Sequence, residues 1–446
     1  MTAGADSIRE CLEGVVPSVV ATCSAEGVPN VCYLSQIEYV DAEHVALSFQ
    51  FFNKTRANVL ANPYAVAMVV EPETAAAYRL HLHYLRTETS GPVFERMKAK
   101  LASIASATGM SAVFRLQGSD IYRVDRIERA PGRERVRVPR RARLPALRAC
   151  SDALSRANDL DALFQTLLAS LAEHFGIQHA MVLVLDQPGE RFFAVASRGY
   201  GNSGIGAEIP VGMGAVGIAA ARKVAVRVAF ANAEYAYVRA IRDRAAQDPA
   251  WARRLENEIP APGLLNPHSQ LAVPLEVGDA VLGVLYVESA EILRFTYEDE
   301  DALVALCRQV ALAMRVLDAD EDRVPPRNPP LLAPSESAGP ALVIKHFASN
   351  DSIFLGDDYL IKGVAGAIFR KLVRAFVNER RCDFVNRELR LDKGLGLPEL
   401  ADNLESRLVL LQRRLAERDQ GVRLEKTGRG RFRLSVERRL ELVELP

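Results

Sequence analysis

The 446-residue chain has no run of about 20 consecutive apolar residues, so no membrane-spanning helix is expected. It has no CxxC pair. Its six cysteines (Cys11, Cys23, Cys32, Cys150, Cys307, Cys382) form no regular framework, as expected for free thiols in a reducing cytoplasm. It has no net charge: 56 Lys and Arg balance 56 Asp and Glu, so only local charge speaks about partners. The opening MTAGADSIRECLEG lacks a basic start followed by an apolar run, so no signal peptide is expected and the cytoplasm is the expected location. Nucleophile elbows, Walker loops, HExxH and zinc knuckles are missing. These absences argue against an enzyme without excluding one. No catalytic residue and no metal set is assigned, and no internal repeat is evident.

What is present divides the chain. Its length predicts about three domains. RAPGRERVRVPRRARLP (129–145) is rich in arginine and proline, and DEDRVPPRNPPLLAPSESAGP (320–340) is rich in proline and small polar residues. Such runs build neither ladders nor helices and act as spacers. The arginine run reads as a solvated connector, with a helper contact to phosphates as the other reading. The expected domains are residues 1–130, 145–318 and 340–446, in a multidomain α+β chain.

The first region alternates short β-rich stretches, among them SVVATCSA, VCYLSQIEYV and HVALSFQFF, with the short helix NKTRANVLANP. Many strands and few helices point to a small barrel. The stretch ALSFQFFNKTRANVLANPYAV, a strand, a basic turn and a helix closing in Asn-Pro, resembles the pyridoxamine-phosphate-oxidase-like split barrels. That resemblance implies an FMN site, or haem as the alternative. Lys54, Thr55 and Arg56 would hold the phosphate, and Ser48, Gln50 and Ser35 would edge the isoalloxazine. Cations at a helix start suit an anion. The bland reading is solvated loop charge. His81 and His83 share a strand face and are weak haem candidates.

In the middle region DLDALFQTLLASLAEHFG reads as an amphipathic helix, capped by Asn158 or Asp159, striped by Leu160, Leu163, Leu167 and Leu171, and stopped by Gly176. Gly212, Gly214 and Gly217 spell GxGxxG. The preceding strand is short and carries proline, and no clear acidic strand end follows about 20 residues on, so a dinucleotide fold is rejected. The glycine turn, the hairpin SQLAVPLEVGDAVLGVLYVES and the closing helix from FTYEDEDALVALCRQVALAM resemble a GAF sensor domain. In that helix Thr296 and Asp299 fit a capping box. The resemblance implies an α/β/α fold and a small-molecule ligand of unnamed class. The insertion 235–268 reads as a helical lid or a plain surface insertion. Leu303, Leu306, Val310, Met314 and Leu317 form an apolar stripe that either pairs two copies, giving a homodimer, or packs on its own sheet.

The last region predicts a helix over DYLIKGVAGAIFRKLVRAFVNER, with Ile361, Val364, Ile368, Leu372 and Phe376 on one face. A short helix, a third helix striped by Leu404, Leu408, Leu411 and Leu415, and a hairpin VRLEKTGRGRFRLSV follow. This order resembles the OmpR-type winged-helix domains. It implies DNA as partner, with Asn403, Ser406, Arg407, Gln412, Arg413 and Arg414 on the groove helix. Lys426, Thr427, Arg429, Arg431 and Arg433 would lie on the wing. Val409 and Leu410, and Arg431 before the aromatic, depart from that pattern, which leaves a protein-docking module open. The whole reads as a one-component signal-responsive transcriptional regulator. The alternatives are an FMN-dependent oxidoreductase with appended modules or a non-catalytic scaffold.

Overall fold

The structure is a computed structural model. It describes residues 4–12, 18–34, 36–49, 54–107, 116–132, 134, 142–186, 191–228, 259, 261–264, 267–321, 341–395, 397 and 403–446. Ser35, Gln50, most of the 235–268 insertion, the middle of the first expected linker and most of the second lie outside those residues, while the first linker's ends are the end of a strand (to Ala130) and the start of a helix (from Arg143).

The first sheet is built from β1 (Ser18–Cys23), β2 (Pro29–Leu34), β3 (Ile37–Tyr39), β4 (His44–Phe49), β5 (Tyr64–Val70), β6 (Ala77–Glu88) and β7 (Gly118–Ala130). Helix α1 (Lys54–Ala61) precedes β5, and α2 (Pro92–Ala107) precedes β7. All neighbours run antiparallel in the order β2-β1-β5-β6-β7-β4-β3. Among the described residues the end strands do not pair with each other, so this is a curled half-barrel. Period-two patterning makes it: Ser18, Val20 and Thr22 turn inward while Val19, Ala21 and Cys23 are half-buried. The Asn58 amide donates to Thr22 Oγ1 at 3.1 Å and pins α1 onto β1.

The second sheet is covered on both faces. Helices α3 (Arg143–Leu154) and α4 (Leu160–Ser170) lead into β8 (His179–Asp186), β9 (Arg191–Arg198) and β10 (Glu208–Pro210). Then come α5 (Gly214–Arg222), β11 (Val226–Val228), β12 (Ser269–Val277), β13 (Ala280–Ser289) and α6 (Tyr297–Glu321). The sheet order is β10-β9-β8-β13-β12-β11. Val182 and Val184 turn to the core shared with α3, α4 and α6, while Met181 and Leu183 turn to the core shared with α5. Both faces being dry, the strands read as continuous apolar runs. Asp159 caps α4 by accepting from the Ala162 amide at 2.8 Å, and Gly176 ends the following turn at φ 68°. Thr296 and Asp299 form the reciprocal cap of α6. Leu303, Leu306, Val310 and Met314 are buried in the chain's own core, with Leu317 packed against it, so the stripe covers its own sheet. In the GxGxxG stretch a Cβ on Gly217 would meet Pro210 O at 2.4 Å, so close packing accounts for that glycine.

The C-terminal part departs from expectation at its start. Residues Asp358–Ile361 are strand β16, after β14 (Leu342–Phe347) and β15 (Ser352–Leu355). Helix α7 begins only at Gly363, whose φ of 65° is incompatible with a helix interior, and runs to Glu379. Ile361 therefore belongs to a strand, while Ile368, Leu372 and Phe376 do lie on the buried face of α7. Then follow β17 (Asp383–Val385), α8 (Asn386–Arg390), α9 (Leu404–Arg418), β18 (Val422–Gly428), β19 (Arg431–Val436) and β20 (Leu440–Leu445). The first four-stranded sheet, β16-β15-β14-β20, has β20 parallel to β14, and a second sheet orders β17-β19-β18. Among the described residues no helix is long and apolar enough to cross a membrane.

Candidate functional site

The basic turn at α1 is spoken for from within. Arg56 Nη1 donates to Asp120 Oδ1 at 2.5 Å, and Thr87 Oγ1 donates to the same oxygen at 2.6 Å. The Arg56 guanidinium lies over the rings of Phe49 and Tyr84. Burial draws the Arg56 pKa down, but Asp120 outweighs burial and leaves it raised. Thr55 Oγ1 accepts from Asn30 at 2.8 Å, and Ser48 Oγ accepts from the Gln36 amide at 3.1 Å. Lys54 is exposed at the helix start. A phosphate held by Arg56 would compete with the Asp120 carboxylate for the guanidinium. His81 and His83 do not act as a pair. His81 Nε2 engages Glu128 Oε2 at 3.1 Å, while His83 packs edge-on to Tyr64. Among the described residues no group of three His, Cys, Asp or Glu could hold a metal.

The larger assembly of charge lies around α9. Leu404, Leu408, Leu411 and Leu415 pack into their own core as their spacing predicts. The opposite face is buried as well, against β8, β9 and α4. Arg407, only 2% exposed, pairs with Asp186 at the end of β8. Arg413 Nε donates to Asp161 Oδ1 at 2.8 Å, and its Nη1 to the Val195 carbonyl at 2.5 Å. Asn403 Nδ2 donates to the Leu185 carbonyl at 2.6 Å, and Ser203 hydrogen-bonds Glu417. Arg414 turns inward, donating to the Leu360 carbonyl at 3.0 Å and Glu417 Oε2 at 2.8 Å. Burial pulls its pKa down, against the pull of Glu417. Ser406 is buried and Gln412 half-buried. Gly206 faces α9. At φ 88° a side chain there would be strained, and its Cβ would meet Ile259 Cδ1 at 2.7 Å while lying at ordinary contact distance from Arg414 and Leu410 of α9.

The hairpin is open by contrast. Thr427 and Arg429 are exposed at its tip, and Lys426 reaches Glu405 at 3.5 Å. Arg431 is half-buried, and Arg433 is bound to Asp383 at 2.8 and 3.0 Å. The candidate helix residues and the candidate wing residues thus fall in two environments, one covered and one exposed. The covering carboxylates, Asp161 and Asp186, carry no sequence signal of that role. Asp161 looks like an ordinary acid in a first helical turn.

A third cluster joins the first sheet to the second. Tyr297 lies beneath the cations of Arg9 and Arg227, at 4.3 and 4.4 Å, and its hydroxyl donates to the Leu12 carbonyl. Arg227 Nε pairs with Glu300 Oε2 at 2.7 Å. Burial pushes Glu300 up, but Arg227 and Lys100 outweigh it and hold its carboxyl below the usual range. Arg222 of α5 reaches Glu95 of α2 at 3.2 Å.

A GAF-domain family profile matches residues 159–314. The chain carries a GAF domain. No curated protein matches the chain. Among solved structures it is similar to the GAF domain of an Acinetobacter phosphoenolpyruvate-protein phosphotransferase, at 21% identity over 40% of this chain and 94% of that one, TM-score 0.31. It is also similar to a free methionine-R-sulfoxide reductase from Neisseria meningitidis, at 18% identity over 42% and 98%, TM-score 0.31. A third is an FMN-binding protein from Syntrophomonas wolfei, at 16% identity over 30% and 90%, TM-score 0.24. At these scores no likeness assigns a ligand or an activity. The GAF domain is the body on which α9 docks, and its own core holds a buried carboxylate. Glu288 Oε1 accepts from the Leu264 amide at 2.7 Å and Oε2 from Tyr286 at 3.0 Å, while burial raises its pKa.

Proposed function

We propose that this chain is a one-component regulator in which the GAF domain senses a small molecule and the C-terminal part binds DNA. The parts correspond to residues 1–130, 145–318 and 340–446, with the last acting as an OmpR-type winged helix in the cytoplasm. The observation that carries the reading is the docking of α9. Two of its arginines, Arg407 and Arg413, point away from the C-terminal part, as a groove-reading helix requires, and both are neutralised by GAF carboxylates, whereas Arg414 turns inward. DNA phosphates and the GAF domain compete for the same cations. In this conformation the wing is open to DNA and the helix is not. DNA affinity is then lowered by the fraction of time α9 stays docked, and a signal acts by shifting that fraction. The signal is assigned to the GAF domain rather than to flavin in the half-barrel, because Asp120 already occupies Arg56. A homodimer, expected from the α6 stripe, is not needed for this reading.

The test is fluorescence anisotropy on a labelled duplex across a salt series. DNA binding with a negative salt slope is expected. Replacing Arg429 and Arg431 by alanine should weaken binding and flatten the slope by roughly one to two. Absence of any DNA binding by the full chain, on genomic fragments as well as random duplex, would leave the C-terminal part as a protein-docking module.

A further inference from the structure

A cavity of about 330 Å³ lies where the GAF domain meets the C-terminal part. That is within the range of small-molecule sites. Phe192 and Phe193 of β9 line it from one side, and Leu410 of α9 and Tyr359 of β16 from the other. Glu208 Oε2 is shared by two lining cations, Arg191 Nη1 at 3.0 Å and Lys362 Nζ at 3.2 Å. Asp186, opposite Arg191 in the strand register, also lines the cavity and pairs with the buried Arg407. The lining residues therefore carry three cations against two carboxylates.

We propose that this cavity binds a small metabolite with an anionic head on an aromatic ring, and that the bound molecule holds α9 against the GAF domain. The head goes to Arg191 and Lys362, because the three lining cations outnumber the two lining carboxylates, and the ring goes between the phenylalanines and Leu410. Arg is suited to carboxylate and phosphate heads alike. Both walls are needed to enclose the ligand, and they come from different parts of the chain. Its affinity is therefore higher for the docked state, and reciprocity makes it an antagonist of DNA binding. That last consequence rests on the DNA-binding reading, whereas the binding site does not.

The test is thermal unfolding of the full chain with three probes: salicylate, 5′-AMP and inorganic phosphate. The first two separate a ring-borne carboxylate from a nucleoside phosphate. At least one should raise the unfolding temperature saturably and by more than phosphate does. The double variant Arg191→Met/Lys362→Met should abolish the rise. Glu208→Gln removes the competing carboxylate and should tighten binding by about five- to tenfold, a gain that loss of structure does not produce. No saturable rise with either ring-bearing anion, even in Glu208→Gln, overturns the site. So does binding that survives the double methionine variant, and phosphate matching both larger probes overturns the ring assignment. No DNA is present, so this outcome and the outcome of the DNA measurements are separable.

Discussion

Glu288 shows how burial sets the behaviour of a single residue. Its carboxyl is raised because burial penalises the charge more than its donors relieve it. In the unfolded chain the same group ionises at the ordinary carboxyl value. As pH rises above that value, the unfolded state loses its proton first and stability falls until the folded group ionises too. Glu288→Gln keeps an acceptor oxygen and removes the titration. Its unfolding temperature should fall less between pH 4.5 and pH 8 than that of the unaltered protein, and parallel curves would contradict this. The thiols follow the same logic. Burial pushes Cys150 up to about 11 and Cys307 higher still. A disulfide reagent at neutral pH should label the half-buried Cys23, Cys32 and Cys382 well before Cys11, Cys150 and Cys307, as peptide mapping over time would show. At this scale the sequence was legible in kind and blind in partnership. Arg407 and Arg413 were recognisable as cations leaving the leucine stripe. Their carboxylates lie 221 and 252 positions away, and no local pattern encodes such a pairing.

Elements with strong periodicity were read well. Helix α4 has its cap, stripe and glycine stop where the sequence puts them, and Asp159→Ala should cost about 1 kcal/mol in urea unfolding through loss of that cap. An unchanged midpoint would mean the Ala162 amide finds another acceptor. The strand β16 was misread as helix. Its Tyr359, Leu360 and Ile361 run straight into the periodic face of α7, and only the extended Lys362 and the positive φ of Gly363 separate the two. The sheet that contains it stayed hidden for a related reason. Its strands are four to six residues long, and β14 finds its parallel partner β20 across the whole C-terminal part. The leucine stripe of α6 was legible as apolar, but a stripe alone does not say whether its own sheet or a second copy covers it. In the half-barrel, Lys54, Thr55 and Arg56 open helix α1, and Asp120, the partner of Arg56, comes from a strand distant in sequence that no local pattern reveals.

The whole molecule is a chain of contacts. Helix α2 of the half-barrel meets α5 and β11 of the GAF domain, the Tyr297 cluster fastens the two, and the far edge of the same GAF sheet holds α9. A change on the α5 face therefore has a packed route to the docked helix. The interface is held by charge, with the guanidinium ends of Arg407 and Arg413 buried and the carboxylates of Asp186 and Asp161 partly open to solvent. Removing the carboxylates leaves two covered cations short of their partners, a loss that undocking relieves. The decisive measurement is the affinity of Asp161→Asn/Asp186→Asn for a fixed duplex at one salt concentration. It is set against a control with the same charge change at two exposed sites, Asp279→Asn/Asp357→Asn. Docking as an inhibitory contact predicts that the first variant binds at least about tenfold more tightly than the control. Equal affinities of the two variants would contradict it.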